Sequence, residues 1–340
     1  MPLINPENLY YLLAYSLGMR PDKACMHNRE PFRNHISVLA HVLSFSMSNV
    51  IRKGLIKDYT DHSERTSSPH GRIDIQKSVS SGTLQYNKVV CSFQEFDSMT
   101  LENGFIASVV SRMLSSSVLD GKTHDELVFV DRALSMIPKF SADVQTIRRL
   151  SYKGHDRDYI TSLYVSSLFI EGMIMNTQDG SFISSFMSED KEFALFEKFV
   201  RGYYYVEHRA LFDSKRKMEW AVTDESGRGS LPDMEVDLML SSGNRSLIID
   251  TKCYTHSMSE RYGKRTFHSF NLYQICNYVE NLKYTSGRTV SGMLLYAKTD
   301  KELIEESHEI RGNMIHVREL DLNIKWGLIV EQMNYLISII

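Results

Sequence analysis

Apolar positions recur at helical intervals in some stretches of the chain and at strand intervals in others, and the switches between the two periods outline its elements. Residues 8–17 read as a short helix and 36–51 as a second, with Val38, Leu39, Val42, Leu43 and Phe45 at helical intervals. The following stretch 58–69, DYTDHSERTSSP, has the composition of a loop, and GRIDIQKSV after it alternates like a strand through Ile73, Ile75 and Val79. Helical spacing returns over 101–114 and 125–136, and no repeat of fixed period is present. This half is mixed, and its chemistry is not legible from spacing.

A segment rich in turn formers, NTQDGSFISS at 176–185, predicts a boundary between two domains, 1–183 and 184–340. Beyond it the pattern is simpler. A helix over 188–206 carries Phe193, Phe196, Phe199, Val200 and Tyr203 on one face, with Glu189 and Asp190 in its first turn, where the helix dipole favours acids. Strands are predicted over 217–223, 234–240 and 246–251. A helix over 270–284 presents Leu272, Ile275, Cys276, Val279 and Leu282, and a buried strand covers 292–297. The order is αβββαβ, completed by a strand near 314–320 and a terminal helix from Trp326. The fold class is α/β, a mixed N-terminal domain followed by this sheet-centred one.

Composition narrows the classes. With 42% hydrophobic and 24% charged residues, 7 Pro and 18 Gly in 340 residues, the chain reads as globular and long enough for two cores. Its 39 Lys and Arg against 42 Asp and Glu give a net charge of −3, so any nucleic-acid contact has to come from a local patch. Cys25, Cys91, Cys253 and Cys276 form no CxxC pair, which argues against a disulfide framework or zinc knuckle and fits a reducing cytoplasm. The first residues lack a basic leader region, and no apolar run approaches ~18 residues, so neither secretion nor membrane insertion is expected.

One stretch conflicts with an ordinary core strand. In SLIIDTKCY, 246–254, an apolar run leads directly into Asp250, and Lys252 follows two positions later on the same side of a strand, with Leu247, Ile249 and Thr251 on the other. Gly243-Asn244 supports a tight hairpin with the preceding strand. If that turn closes, Ser242 faces Arg245 and equal steps outward bring Asp237 opposite Asp250. Directly opposed like charges destabilise a sheet, so a cation between them is expected. Two hard oxygen ligands suit Mg²⁺, which keeps several waters and takes one or two carboxylates. An adjacent ammonium can orient a water or stabilise charge on phosphorus. A solvated hairpin with a surface Asp and Lys is the alternative, and a bulge would shift the register.

LPDMEVD followed by LIIDTKCY resembles the PD-(D/E)xK nuclease signature. GKRTFHSFNLYQICNYV is similar to the segment after that lysine in the McrC family, the nuclease subunits of modified-cytosine restriction systems. NPENLYYLLAYSLG, GRIDIQKSV and FQEFDSMTLENGF resemble N-terminal landmarks of the same family in the same order. The resemblance implies a restriction-endonuclease-like C-terminal domain with Asp237, Asp250 and Lys252 on catalytic positions, and Mg²⁺ held by the two acids and the backbone carbonyl of Thr251. Gln274 and Tyr278, four apart on one helical face, fall on the family's Q-x-x-x-Y position. Glu197 is where related nucleases often place an auxiliary acid. Arg261, Lys264 and Arg265, flanked by His256 and His268, form a candidate phosphate-contacting patch.

The resemblance also implies a partner, an McrB-like hexameric AAA+ GTPase that recognises double-stranded DNA carrying modified cytosine and is stimulated by the N-terminal half of this chain. DGKTHD offers only Gly121-Lys122-Thr123 of a phosphate loop, because Ser116 stands where the earlier glycine belongs, so the chain is not expected to bind GTP itself. The rival readings are a GTPase-activating scaffold with an idle nuclease site and a stand-alone repair nuclease of the same fold.

Overall fold

The computed structural model describes residues 4–21, 32, 34–176, 189–222, 231–253, 259–261, 264–299 and 303–340. They form two units, one of residues 36–174 and one that joins 1–35 to 175–340. The expected boundary at 183/184 lies outside the described residues, whereas the placement of the first residues is corrected: they belong with the C-terminal unit.

Helix α1, Pro6–Ser16, starts where Asn5 Oδ1 accepts the Glu7 N–H at 3.0 Å and Pro6 supplies a preset first turn. It ends at Gly18, whose φ of +67° suits the left-handed cap. The helical unit follows with α2 at His35–Lys53. Then come β1 at Asp58–Thr66, β2 at Arg72–Ile73, α3 at Ile75–Ser80 and β3 at Val89–Asp97. Four helices complete it: α4 at Leu101–Leu114, α5 at Gly121–Ala133, α6 at Val144–Arg149 and α7 at Arg157–Asn176.

Val38, Leu39, Val42 and Leu43 of α2 are buried as their spacing implies, while Phe45 turns outward. Buried polar pairs lock the helices together, Ser46 with Ser162 at 2.8 Å and Tyr159 OH to Asn103 at 2.7 Å, and a half-buried one joins His41 Nδ1 and Glu126 at 2.7 Å.

Two expectations fail in this unit. Residues 58–66, expected as loop, are a strand paired with β3 over its whole length. GRIDIQKSV, expected as strand, keeps only two strand residues before Asp74 accepts the Lys77 N–H at 2.9 Å and caps a helix. Gly121-Lys122-Thr123 is likewise a helix start, with Asp120 accepting from the Thr123 N–H at 2.8 Å.

The other unit contains α8 at Glu189–Glu207 and the strands β4 at Phe212–Asp213, β5 at Lys217–Met218, β6 at Met234–Glu235, β7 at Leu238–Ser242 and β8 at Arg245–Lys252. After these come β9 at Ser259–Arg261, β10 at Lys264–Thr266, α9 at Ser269–Ser286, β11 at Thr289–Ala297, β12 at Glu305–Ile310, β13 at Asn313–Leu320 and α10 at Trp326–Leu336. The central sheet has the order β12-β13-β11-β8-β7-β4, antiparallel from β4 to β8 and parallel from β8 through β11 to β13. The αβββαβ order is therefore present, although its first strand is Phe212–Asp213 rather than 217–223. Lys217–Met218 instead pairs with β6 in a separate two-stranded sheet.

Ile275 and Val279 of α9 pack with Ile248, Val290, Leu294, Ile315 and Val317 of the sheet. Gly292 admits this approach, since a Cβ there would sit 2.7 Å from Ile275 Cγ1. Among the described residues no helix is long and apolar enough to cross a membrane.

Helix α1 is bound into this unit at close range. Asn8 Nδ2, fully buried, donates to the carbonyls of Leu322 and Ile324 at 2.8 and 2.7 Å, and Tyr11 stacks on Trp326 at 4.3 Å. A Cβ on Gly202 of α8 would lie 1.8 Å from the Tyr15 carbonyl oxygen. Gly202→Ala is expected to lower unfolding stability by about 1–3 kcal/mol or more, read by urea denaturation. Gly121→Ala, where the added carbon meets open space, should be neutral; equal behaviour of the two variants would refute the tight approach.

Candidate active site

The chain changes sheets at the point where the acids lie. Residues 234–236 pair with 216–218, the Val236 N–H reaching the Arg216 carbonyl at 2.9 Å, and 238–242 then pair with β8. Asp237 stands at the crossing. The register expected from the tight turn holds from Ser242 opposite Arg245 to Leu238 opposite Ile249. It stops there, so Asp237 is not a ladder partner of Asp250, because the strand has already turned toward its other neighbour. Its carboxylate Oδ2 instead accepts from both the N–H and the hydroxyl of Thr251, each at 2.8 Å. Its backbone carbonyl takes Arg201 Nη1 of α8 at 2.9 Å.

Asp250 ends the apolar run of β8 only 2% exposed. Lys252 Nζ lies 2.7 Å from its Oδ2. Oδ2 is shut off from solvent, and apart from that ammonium no partner reaches it among the described residues. The contact is an ion pair made at the buried oxygen itself. Burial pushes the Asp250 carboxyl up to about 6; Lys252 opposes the rise, and Asp237 and Glu197 add to it as like charges. A buried carboxylate paired with a single ammonium and flanked by further acids fits a hard divalent cation.

Lys252 has further contacts. Its Nζ donates to Gln274 Oε1 at 3.3 Å, and Gln274 Nε2 donates to the Tyr278 hydroxyl at 2.9 Å, so the two helical residues line up behind the ammonium. Burial raises the Tyr278 phenol, which remains neutral. Phe193 of α8 lies 5.9 Å from the same ammonium, within cation–π range. Glu197, one turn further along α8, is bound by Arg216 at 2.6 Å, and its carboxyl is raised by burial and by Asp237.

The structure thus gathers Asp250, Lys252, Gln274 and Tyr278 through direct contacts, with Asp237 and Glu197 close enough to act on Asp250 electrostatically. Arg261 and Lys264 are opposed, and Arg265 faces Glu260, on the β9–β10 hairpin, whose side chains lie outside the described residues, as does His256. His268 precedes α9 at its N-cap.

Three contributors escape a reading by motif. The Thr251 side chain is the unspecified position of D-x-K, Arg216 follows the first strand, and Arg201 shows only as the residue four beyond Glu197. That last spacing, one helical turn, is the one signal the sequence carried.

A mixed sheet that ends two adjacent strands in acids, with a lysine beside them and a helix supplying Gln and Tyr, defines an α/β protein with a carboxylate–lysine centre. The model of the McrBC 5-methylcytosine restriction system component family matches residues 4–297, and the chain belongs to that family. It is 27% identical over 338 residues to the type IV methyl-directed restriction enzyme EcoKMcrBC of Escherichia coli strain K12, covering 98% of this chain and 97% of that relative. A chain in a solved tetradecameric assembly of Thermococcus gammatolerans McrB AAA+ hexamers with bound McrC is similar in fold. Its TM-score is 0.51 at 16% identity, over 98% of this chain and 76% of that one.

Because Thr251 supplies two donors to one carboxylate oxygen, Thr251→Val should cost about 1.5–3 kcal/mol of unfolding free energy, and Thr251→Ser should restore it. Urea titrations of the three proteins test this, and a valine variant as stable as the serine one would disprove the bond's contribution.

Proposed function

We propose that this chain is the DNA-cleaving subunit of a modification-dependent restriction complex, hydrolysing phosphodiester bonds with Mg²⁺ and working with an McrB-like AAA+ GTPase that it stimulates. The observation that carries the reading is the buried carboxylate of Asp250, paired with Lys252 and crowded by the like charges of Asp237 and Glu197. A scaffold has no use for an acid held at such electrostatic cost, whereas a cation-dependent hydrolase needs one. The domain is then restriction-endonuclease-like, with double-stranded DNA carrying modified cytosine as substrate. Family membership and the names of the E. coli and T. gammatolerans proteins support the partner and the DNA.

Asp237 and Asp250, with the Thr251 carbonyl, would hold the ion, which when bound supplies an acidified water and charge neutralisation at phosphorus. The chain's own residues set the rest. Thr251 and Arg201 fix Asp237 from its side chain and its backbone. Lys252, aimed by Gln274 and Tyr278, presents an ammonium where a water or a phosphate oxygen would lie. Glu197, restrained by Arg216, adds negative field without a direct bond to either acid among the described residues. Arg261, Lys264 and Arg265 would meet phosphates.

Asp250→Ala should abolish cleavage of methylated DNA in the presence of partner and GTP, while the variant still assembles with the motor and stimulates its hydrolysis. Undiminished strand scission by that variant would end the assignment, and stimulated hydrolysis without scission by the parent would favour a scaffold.

The Asp250 proton gives a second test. A carboxyl raised to about 6 must ionise before it binds a cation, so Mg²⁺ affinity by calorimetry should fall about tenfold from pH 7 to pH 5. Without the ion the sign for stability is the reverse of a salt-bridged aspartate. The ionised group opposes folding above about 6, on the order of 3 kcal/mol, and this opposition is relieved as pH falls toward the ordinary carboxylate range. Mg²⁺ affinity unchanged across that window would contradict the raised carboxyl.

A further inference from the structure

A second set of metal-type ligands lies in the helical unit. His62, Glu95 and Asp97 each offer a ligand atom, and these atoms lie within 4.8 Å of one another. The β1–β3 ladder explains why. Asp58 faces Asp97, Thr60 faces Glu95 and His62 faces Phe93, so alternation brings Thr60, His62, Glu95 and Asp97 onto one side of the ribbon.

Asp97 is already oriented as a ligand. Its Oδ1 accepts the Met99 N–H and the Thr60 hydroxyl, each at 2.8 Å, and its Oδ2 is left facing His62 Nε2 at 2.6 Å. The imidazole is positioned by stacking on Phe93 at 5.6 Å. Partners of this kind orient metal ligands in characterised sites. His62 Nε2 also contacts the Thr60 hydroxyl at 2.8 Å. Bonds of about 2.0–2.2 Å in tetrahedral geometry place ligand atoms roughly 3.3 Å apart, so an opening of the contacts that this nitrogen makes to Thr60 and Asp97 admits the ion.

Burial does little to hold the outer strand of the ribbon. Residues of β1 are exposed or half-exposed on both faces and β2 contributes two residues, whereas Val90 and Cys91 of the central β3 are buried. Cys91, the cysteine of β3, is unpaired.

We propose that His62, Glu95 and Asp97 form a site for a divalent transition metal of the zinc class that ties β1 to β3 where the ribbon joins α4. One imidazole and two carboxylates, with water completing the shell, suit Zn²⁺ better than Mg²⁺. The inference is independent of the nuclease reading.

The test uses the full chain carrying Asp250→Ala, so that the other candidate site is disabled. Titration with Zn²⁺ by calorimetry, and with Co²⁺ by its tetrahedral absorption band, should show one equivalent bound and a rise in the thermal transition. His62→Ala should weaken binding at least tenfold. Glu95→Gln, which leaves the His62–Asp97 hydrogen bond in place, should weaken it comparably while the far-UV spectrum stays that of the parent. Absence of zinc binding, or binding unaffected by both substitutions, would overturn the proposal and leave His62 and Asp97 as a simple hydrogen-bonded pair.

Discussion

A charged carboxylate held out of water at the end of a central strand is the constraint around which the C-terminal unit is arranged. Burying an ion without compensation is strongly unfavourable, and Asp250 has only partial compensation from Lys252 on its own strand. The surrounding features each bear on that imbalance. The strand bearing Asp237 leaves the ladder before it would stand directly across from Asp250, and Thr251 takes its carboxylate instead. Arg216 neutralises Glu197, and Gln274 with Tyr278 keeps the lysine ammonium in line. What remains is two carboxylates, Asp237 and Asp250, beside the ammonium of Lys252, and that excess of negative charge marks where positive charge belongs.

Precision at such a centre follows from where its parts are mounted. Asp250, Thr251 and Lys252 are paired to β11 at every position, just beyond the part of their strand that is also paired to β7, and α9 is packed against the same sheet by Ile275 and Val279. Side chains fixed on rigid elements hold their positions better than those on loops. Asp237 is the exception, lying between two short strands, and it is the acid with the most elaborate restraint: two donors on its side chain and a guanidinium on its backbone.

The sequence disclosed the C-terminal unit well because its strands are buried and its helices have one apolar face. Ile248, Leu294 and Val317 are core positions that hydrophobic runs reveal directly. The acid–lysine pairing of Asp250 and Lys252 was legible from the period of two. The break at Asp237 was not, since it arises from competition between two sheets for one segment, and no local pattern records that. The β1–β3 ribbon was missed for a different reason: DYTDHSERT is solvated on both sides, so no alternation exists to detect. GRIDIQKSV misled because Ile73, Ile75 and Val79 alternate on an exposed surface, where Asp74 as a helix cap outweighs them. The boundary near 183 assigned the first residues by chain order, whereas Asn8 and Gly202 assign them by contact.

That discontinuity sets an order of events during synthesis. Helix α1 leaves the ribosome before the helical unit, yet the carbonyls of Leu322 and Ile324 that receive Asn8, and the Trp326 ring that receives Tyr11, are made after it. The helical unit between them is contiguous and can fold while translation continues. The leading helix, too short to be stable alone, must wait undocked with Leu9, Leu12 and Leu13 uncovered, and its eventual docking closes the topology of the whole chain.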